Sequence, residues 1–167
     1  MKVFKEEQRF TQLWLIVLMA VSLLVPLIII TQEYAKENTS LTTQEFILTI
    51  VALLASGGFI FSFKLNTRID ETGIYYQFFP FHFKLKQISW DEINNAYVRI
   101  YDPISEYGGW GFKGGWSKSK GRAINVSGDI GIQLELTNGK KLLIGTQKKT
   151  EAERVLETYK TKIHQHD

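Results

Sequence analysis

The sequence predicts an α-helical membrane hairpin joined to a mainly-β domain that ends in a C-terminal helix. Three observations carry this. Two runs of 18 residues, Leu13–Ile30 and Phe46–Phe63, contain no charged side chain. From Lys64 onward, apolar residues instead alternate with polar ones in short segments, the period of a half-buried strand. The last segment, about 150–164, returns to helical spacing.

At about 1.5 Å per residue each apolar run covers roughly 27 Å, close to the hydrocarbon thickness of a bilayer. The first run, taken as span 13–31, has Ser22 as its only polar member. Its Pro26 is tolerable, because neighbouring helices can re-satisfy the freed carbonyl. The second, span 46–63, is diluted by Ser56, Gly57 and Gly58. Ala52 and Ser56 have small-xxx-small spacing, which lets helix backbones approach. Together with Gly57 they mark a helix-packing patch, either within the hairpin or between copies. The first run is too long for a cleaved signal peptide, and residues 31–35, TQEYA, make a poor cleavage site.

Charge sets the expected direction. Lys2, Lys5 and Arg9 precede the first span, and Lys64 and Arg68 follow the second. The connecting loop, 32–45, offers Lys36 against Glu33, Glu37 and Glu45. The positive-inside rule then places the 1–12 segment and the domain at 64–167 in the cytoplasm, and the loop outside. The expected location is the cell (inner) membrane, multi-pass, with the lipid bilayer as first partner. Neither span holds a charge, so a proton or ion relay has no carrier there.

In the domain, Ile74, Tyr76 and Phe78 alternate up to Pro80. His82–Ile88 reads as a second strand with Phe83, Leu85 and Ile88 inward and lysines outward. Trp90-Asp91-Glu92-Ile93 is a tight turn before a strand at 96–101, and 122–126 begins another. Ile130, Ile132, Leu134 and Leu136 share one face of a strand. Asn138-Gly139 follows, with the residues a type I′ turn prefers, and 141–145 returns. In the final helix Thr150 and Glu153 have capping-box spacing. Ala152, Val155, Leu156, Tyr159 and Ile163 line one face. With a strand at about 63–69, the expectation is about seven antiparallel strands and one helix.

The stretch Ile88-Ser89-Trp90-Asp91-Glu92-Ile93, the strand order, the Asn138-Gly139 hairpin and the closing helix carry a resemblance. The chain resembles bacterial pleckstrin-homology-like (PH-like) domain proteins in which a two-span hairpin precedes the domain. Runs such as Tyr107-Gly108-Gly109-Trp110-Gly111, Asn125-Val126-Ser127-Gly128 and Ile144-Gly145-Thr146-Gln147 fit it. The resemblance implies two packed antiparallel sheets capped at one end by the helix. The fold hosts lipid, peptide and protein binding alike. The lipid-binding pattern of the family places basic residues in the loop after the first strand. Here that loop is Asp70-Glu71-Thr72-Gly73, which argues against phosphoinositide headgroup recognition.

One long irregular segment, 102–121, holds six glycines, Trp110, Phe112 and Trp116, with Lys113, Lys118, Lys120 and Arg122 in or beside its second half. Its tryptophans set it apart from a disordered linker. Three readings stay open: contact with an anionic lipid surface, a protein-partner site, or aromatics folded back to seal the domain, glycines permitting the turns. Gly109, Gly111 and Gly114 match a dinucleotide-binding glycine pattern only formally, lacking its strand and helix.

The absence of cysteine excludes disulfides, thiolate metal sites and thiol nucleophiles. Residues 64–167 hold 16 Lys/Arg against 12 Asp/Glu, far from the basicity of a nucleic-acid binder. His82, His164 and His166 form no ligand spacing, and no nucleophile motif occurs. The expected function is therefore a non-enzymatic, membrane-anchored binding or scaffolding module without cofactor or metal. The alternative is a subunit of a larger membrane complex assembled through the hairpin. Ligand and oligomeric state are left open by the sequence.

Overall fold

The computed structural model describes residues 2–114 and 121–163. The chain divides into two units: residues 10–63, and a second made of the first nine residues together with everything from Lys64 onward.

The first unit is a helical hairpin. Helix α1 spans Leu13–Tyr34 and α2 spans Thr43–Phe61, so the first helix extends a turn beyond the apolar run and the second begins earlier than its apolar residues do. Thr42 starts α2 through a capping box: Glu45 N–H donates to the Thr42 hydroxyl, and Thr42 N–H donates to the Glu45 carboxylate at 2.9 Å. Two orphan donors are thereby satisfied reciprocally. Within the helices Ser22 and Ser56 donate back to the carbonyls of Met19 and Leu53, which hides hydroxyls that hydrocarbon would not solvate. Tyr34 stacks on Phe46 at 4.2 Å where the helices meet the loop. Both helices are long and apolar enough to cross a membrane. Leu18, Val21, Leu24, Ile28, Leu48 and Leu54 are all more than half exposed.

Among the described residues the second unit holds nine strands, where about seven were expected. Sheet one runs in the order β1 (Phe4–Arg9), β2 (Lys64–Asp70), β3 (Gly73–Phe79), β4 (Lys86–Ser89), all neighbours antiparallel. The 1–12 segment, expected to stand apart from the domain at 64–167, thus contributes the strand Phe4–Arg9 to it, and the helical hairpin is an insertion between β1 and β2. Phe4, Glu6 and Gln8 point inward and Lys5, Glu7 and Arg9 outward. A strand whose inner face carries a carboxylate and an amide has no hydrophobic alternation to reveal it.

A 3-10 turn, Trp90–Glu92, capped reciprocally by Ser89 and Glu92, leads into β5 (Ile93–Ile100). The Trp90 indole N–H donates to the Asp70 carbonyl at 3.0 Å, and its ring stacks on Tyr159. Sheet two has the order β5, β8 (Ile130–Leu136), β9 (Lys141–Gly145), β7 (Arg122–Asn125), β6 (Gly111–Lys113). The β7–β9 pair is parallel, where an all-antiparallel domain was expected. The β8–β9 hairpin also differs from expectation. Gly139 alone takes positive φ, and its N–H donates to the Leu136 carbonyl. A three-residue loop with glycine in the left-handed position replaces the type I′ turn.

Helix α4, Lys149–Ile163, buries Ala152, Val155, Leu156 and Tyr159. It starts one residue before Thr150, so Thr150 lies inside its first turn and is not the N-cap. Instead Ala152 N–H bonds the Lys148 carbonyl, and Lys148 N–H donates to the Thr146 hydroxyl. The inner faces of both sheets, with Phe4, Leu65, Ile74 and Phe78 from one and Ile124, Ile132, Leu134 and Ile144 from the other, are fully buried. The β1 strand is bound to the second sheet by side chains. Glu6 accepts from the Thr146 hydroxyl at 2.7 Å and from Gln147 N–H at 2.9 Å, while Gln8 Nε2 donates to the Gly145 carbonyl at 2.7 Å.

Candidate functional site

The segment 102–121 is not irregular throughout. Asp102 caps a short helix, α3 (Pro103–Tyr107), its Oδ1 accepting from Ile104 and Ser105 N–H at 2.9 Å each. These bonds hold the Asp102 carboxyl below its ordinary pKa, the Ser105 side-chain and backbone bonds contributing most. Gly108, at φ 73°, ends the helix in the left-handed conformation, which glycine adopts without a Cβ penalty. Arg99 holds α3 from β5, its guanidinium gripping both Glu106 oxygens at 3.0 and 2.7 Å and reaching the Tyr107 hydroxyl. The carboxylate raises the Arg99 pKa above its ordinary value. Tyr107 packs on a cluster of Tyr101, Ala123 and Leu143, on the face of sheet two opposite the main core. Burial pushes the Tyr101 phenol up to about 12, and its oxygen accepts from Asn125 Nδ2 at 2.7 Å.

The sequence-predicted contact residues divide accordingly. The Trp110 indole N–H donates to the Gly128 carbonyl at 2.9 Å, which turns a half-buried ring back onto the domain. Phe112 lies in β6 opposite Ile124 and meets Phe81 at 5.6 Å and His82 at 5.3 Å. Lys113 is half-buried and pairs with Ala123; Arg122 is exposed at the start of β7. Trp116, Lys118 and Lys120 lie outside the described residues, as do His164 and His166. The described part of the segment seals the domain with Tyr107 and Trp110 and braces another loop with Phe112.

In the hairpin, the three packing residues separate. Gly57 is buried, and a Cβ there would fall 2.5 Å from Leu23 Cδ1, so its lack of a side chain is what lets α1 and α2 approach. Ala52 and Ser56 are exposed, on a different face from that contact.

Two surfaces escaped sequence reasoning. The first is the β3–β4 connection. Expected as a strand with Phe83 and Leu85 inward, it is a loop after the cis Phe79–Pro80 peptide, with only Lys86–Ser89 in the sheet. Phe81, Phe83 and Leu85 are exposed, Phe83 to 78%. His82 is the inward residue of the loop. Burial and then Lys86 lower its pKa, and its Nδ1 accepts from Phe78 N–H. Alternating Phe and Lys in F-H-F-K-L-K imitates strand periodicity, which is why the pattern misleads.

The second is the outer side of β5. Among the described residues that strand has a strand neighbour on one side only. Along it runs an open groove of about 290 Å³ between β5 and α4. Ala96, Val98 and Leu156 supply its apolar lining, and Glu153, Glu157 and Lys160 its polar side. No local sequence signal marks an edge strand, because edge position depends on the whole sheet order.

Among the described residues no group of three or more His, Cys, Asp or Glu side chains is placed to hold a metal ion. Compared with protein-family models, curated proteins and solved structures, the chain matches none.

Proposed function

We propose that this protein is a membrane-anchored, non-enzymatic binding module that takes an extended segment of a protein partner along β5. The observation that carries the reading is the β5 edge: a strand with no neighbour on one side among the described residues, flanked by a groove with apolar lining from Ala96, Val98 and Leu156. An extended peptide can add to such an edge through main-chain hydrogen bonds, with alternate side chains entering the groove. The membrane anchor is supported by two helices whose leucines, isoleucines and valines face outward. A patch of that size left in water exceeds what monomeric soluble proteins expose. The basic flanks favour a cytoplasmic domain at the cell membrane. A PH-like fold is supported by the four-stranded sheet, the antiparallel β5–β8–β9 meander and the closing helix. The β6–β7 pair is then an addition to it.

A photo-crosslinking residue in place of Tyr97, in the full chain in cells, tests this. The expected result is an adduct confined to one short segment of one partner, lost when Ala96→Phe fills the groove. Adducts scattered over many proteins and insensitive to Ala96→Phe would defeat the reading. The second reading, assembly through the hairpin, is favoured by an apolar groove of about 290 Å³ lined by Ala20, Leu23, Leu24, Leu27, Leu53 and Leu54. It predicts that Ala20→Phe, which fills that groove, disrupts the assembly while Ala96→Phe leaves it intact.

A further inference from the structure

The β3–β4 loop is apolar, exposed and stiff at once. Phe81 stacks on Phe78 and on Phe112, and Phe83 meets Phe79 edge-on at 5.8 Å. His82 N–H donates to the Phe78 carbonyl at 2.7 Å, and Gln77 Nε2 donates to the Phe83 carbonyl at 2.9 Å. The aromatic rings are therefore held outward by a braced backbone, although an unconstrained loop would turn them in to escape water. Lys84 and Lys86, both exposed, stand among them.

Strand register says which end of the sheet carries this loop. Arg9 pairs with Lys64, and Lys64 pairs with Phe79. Three adjacent strands thus end together: one leads into α1, one comes from α2, and the third leads into the loop. Strand spacing puts Phe79 about 5 Å from Lys64, the residue that follows Phe63. Any bilayer holding the two helices begins within a few residues of this end. Aromatic rings with interleaved lysines suit its interface, where rings sit at headgroup level and each basic residue is drawn to anionic lipid.

We infer that the β3–β4 loop is a non-spanning membrane contact, in which Phe81, Phe83 and Leu85 enter the interface of an anionic leaflet and Lys84 and Lys86 pair with its headgroups. The inference rests on the helices spanning a bilayer. It makes the tether a docked one: two covalent connections and one inserted loop meet at a single end of sheet one.

The absence of cysteine makes single-site labelling direct. Nitroxide labels are placed one at a time through Phe83→Cys, Glu71→Cys and Val21→Cys in the full chain, reconstituted in phosphatidylcholine vesicles with and without phosphatidylserine. Collision with dissolved oxygen reports lipid, and collision with a water-soluble nickel chelate reports water. Glu71 sits in the β2–β3 turn, at the opposite end of the sheet, and Val21 in the middle of α1. The expected result is a high ratio of oxygen to chelate access at 21 and 83, and a low ratio at 71, with phosphatidylserine present. Lys84→Gln and Lys86→Gln should each lower the docked-to-undocked ratio at 83 by about fivefold. Chelate access at 83 equal to that at 71, with 21 in lipid, overturns the loop contact and leaves the span intact. Chelate access at 21 overturns the span and the loop contact together.

Discussion

Arg9 and Lys64 are register partners at the end of the β1–β2 ladder, yet both apolar helices lie in the chain between them. The helical hairpin therefore occupies the place of a β-hairpin loop. A domain attached at one terminus swings on a single linker, whereas this one is joined to its helices through two hydrogen-bonded strands. Glu7 ties the exits, accepting from Lys64 at 2.7 Å and Arg9 at 3.0 Å, which lowers its pKa, the Lys64 bond first.

That relationship makes the domain separable in only one way. Replacing residues 10–63 by Asn-Gly, which closes a two-residue hairpin, should yield a soluble domain with a single cooperative melt. A chain that simply begins at Lys64 loses β1, exposing the partners of Phe4 and Glu6, and should not melt cooperatively. Circular dichroism of both chains decides it.

Within β1 the contributions differ in kind. Phe4 is fully buried, and Phe4→Ala should cost about 3–5 kcal/mol. Glu6→Ala leaves the Thr146 hydroxyl and Gln147 N–H without their acceptor, a loss of about 1–3 kcal/mol. Urea unfolding of the hairpin-deleted domain measures both.

His82 predicts a pH dependence. Its pKa is lowered from the ordinary 6.5, by burial first and by Lys86 second. The unfolded chain then binds a proton more readily than the folded one, so stability is full above 6.5 and falls as pH drops from there toward the lower folded value. Below the folded pKa the dependence ends. Melting temperature followed through this window should decline for the native chain and decline less for His82→Gln; equal declines would remove His82 as the cause.

The two adjacent glycines of α2 should behave oppositely. A Cβ at Gly57 meets Leu23, whereas a Cβ at Gly58 meets nothing within 4 Å. Disulfide trapping between cysteines introduced on facing positions of α1 and α2 should fall sharply in Gly57→Leu and stay unchanged in Gly58→Leu.

The elements visible in the sequence are those whose signal is local. The apolar runs of α1 and α2, the alternation of β8 and the buried stripe of α4 each follow from side chains a few residues apart. What lay beyond reach depends on partners distant in the chain. Strand β1 carries a polar inner face because its partners are Thr146 and Gln147, more than a hundred residues on. Phe83 and Leu85 alternate as a strand would, yet Pro80 and the Phe81–Phe112 stack turn the segment into a loop. For Trp110 the sequence left contact and fold-back both open; the bond to the Gly128 carbonyl, 18 residues on, turns its ring onto the domain.

The sequence by itself determined that this chain has two helices fit for a bilayer and a β-rich domain with a closing helix, because periodicity and hydropathy are read one segment at a time. Tertiary structure alone decided that the helices interrupt the domain, that β5 is an edge, and that three strand ends converge beside an exposed aromatic loop. Each of those is a statement of register, and register is set by cross-strand pairing between residues the chain order keeps apart.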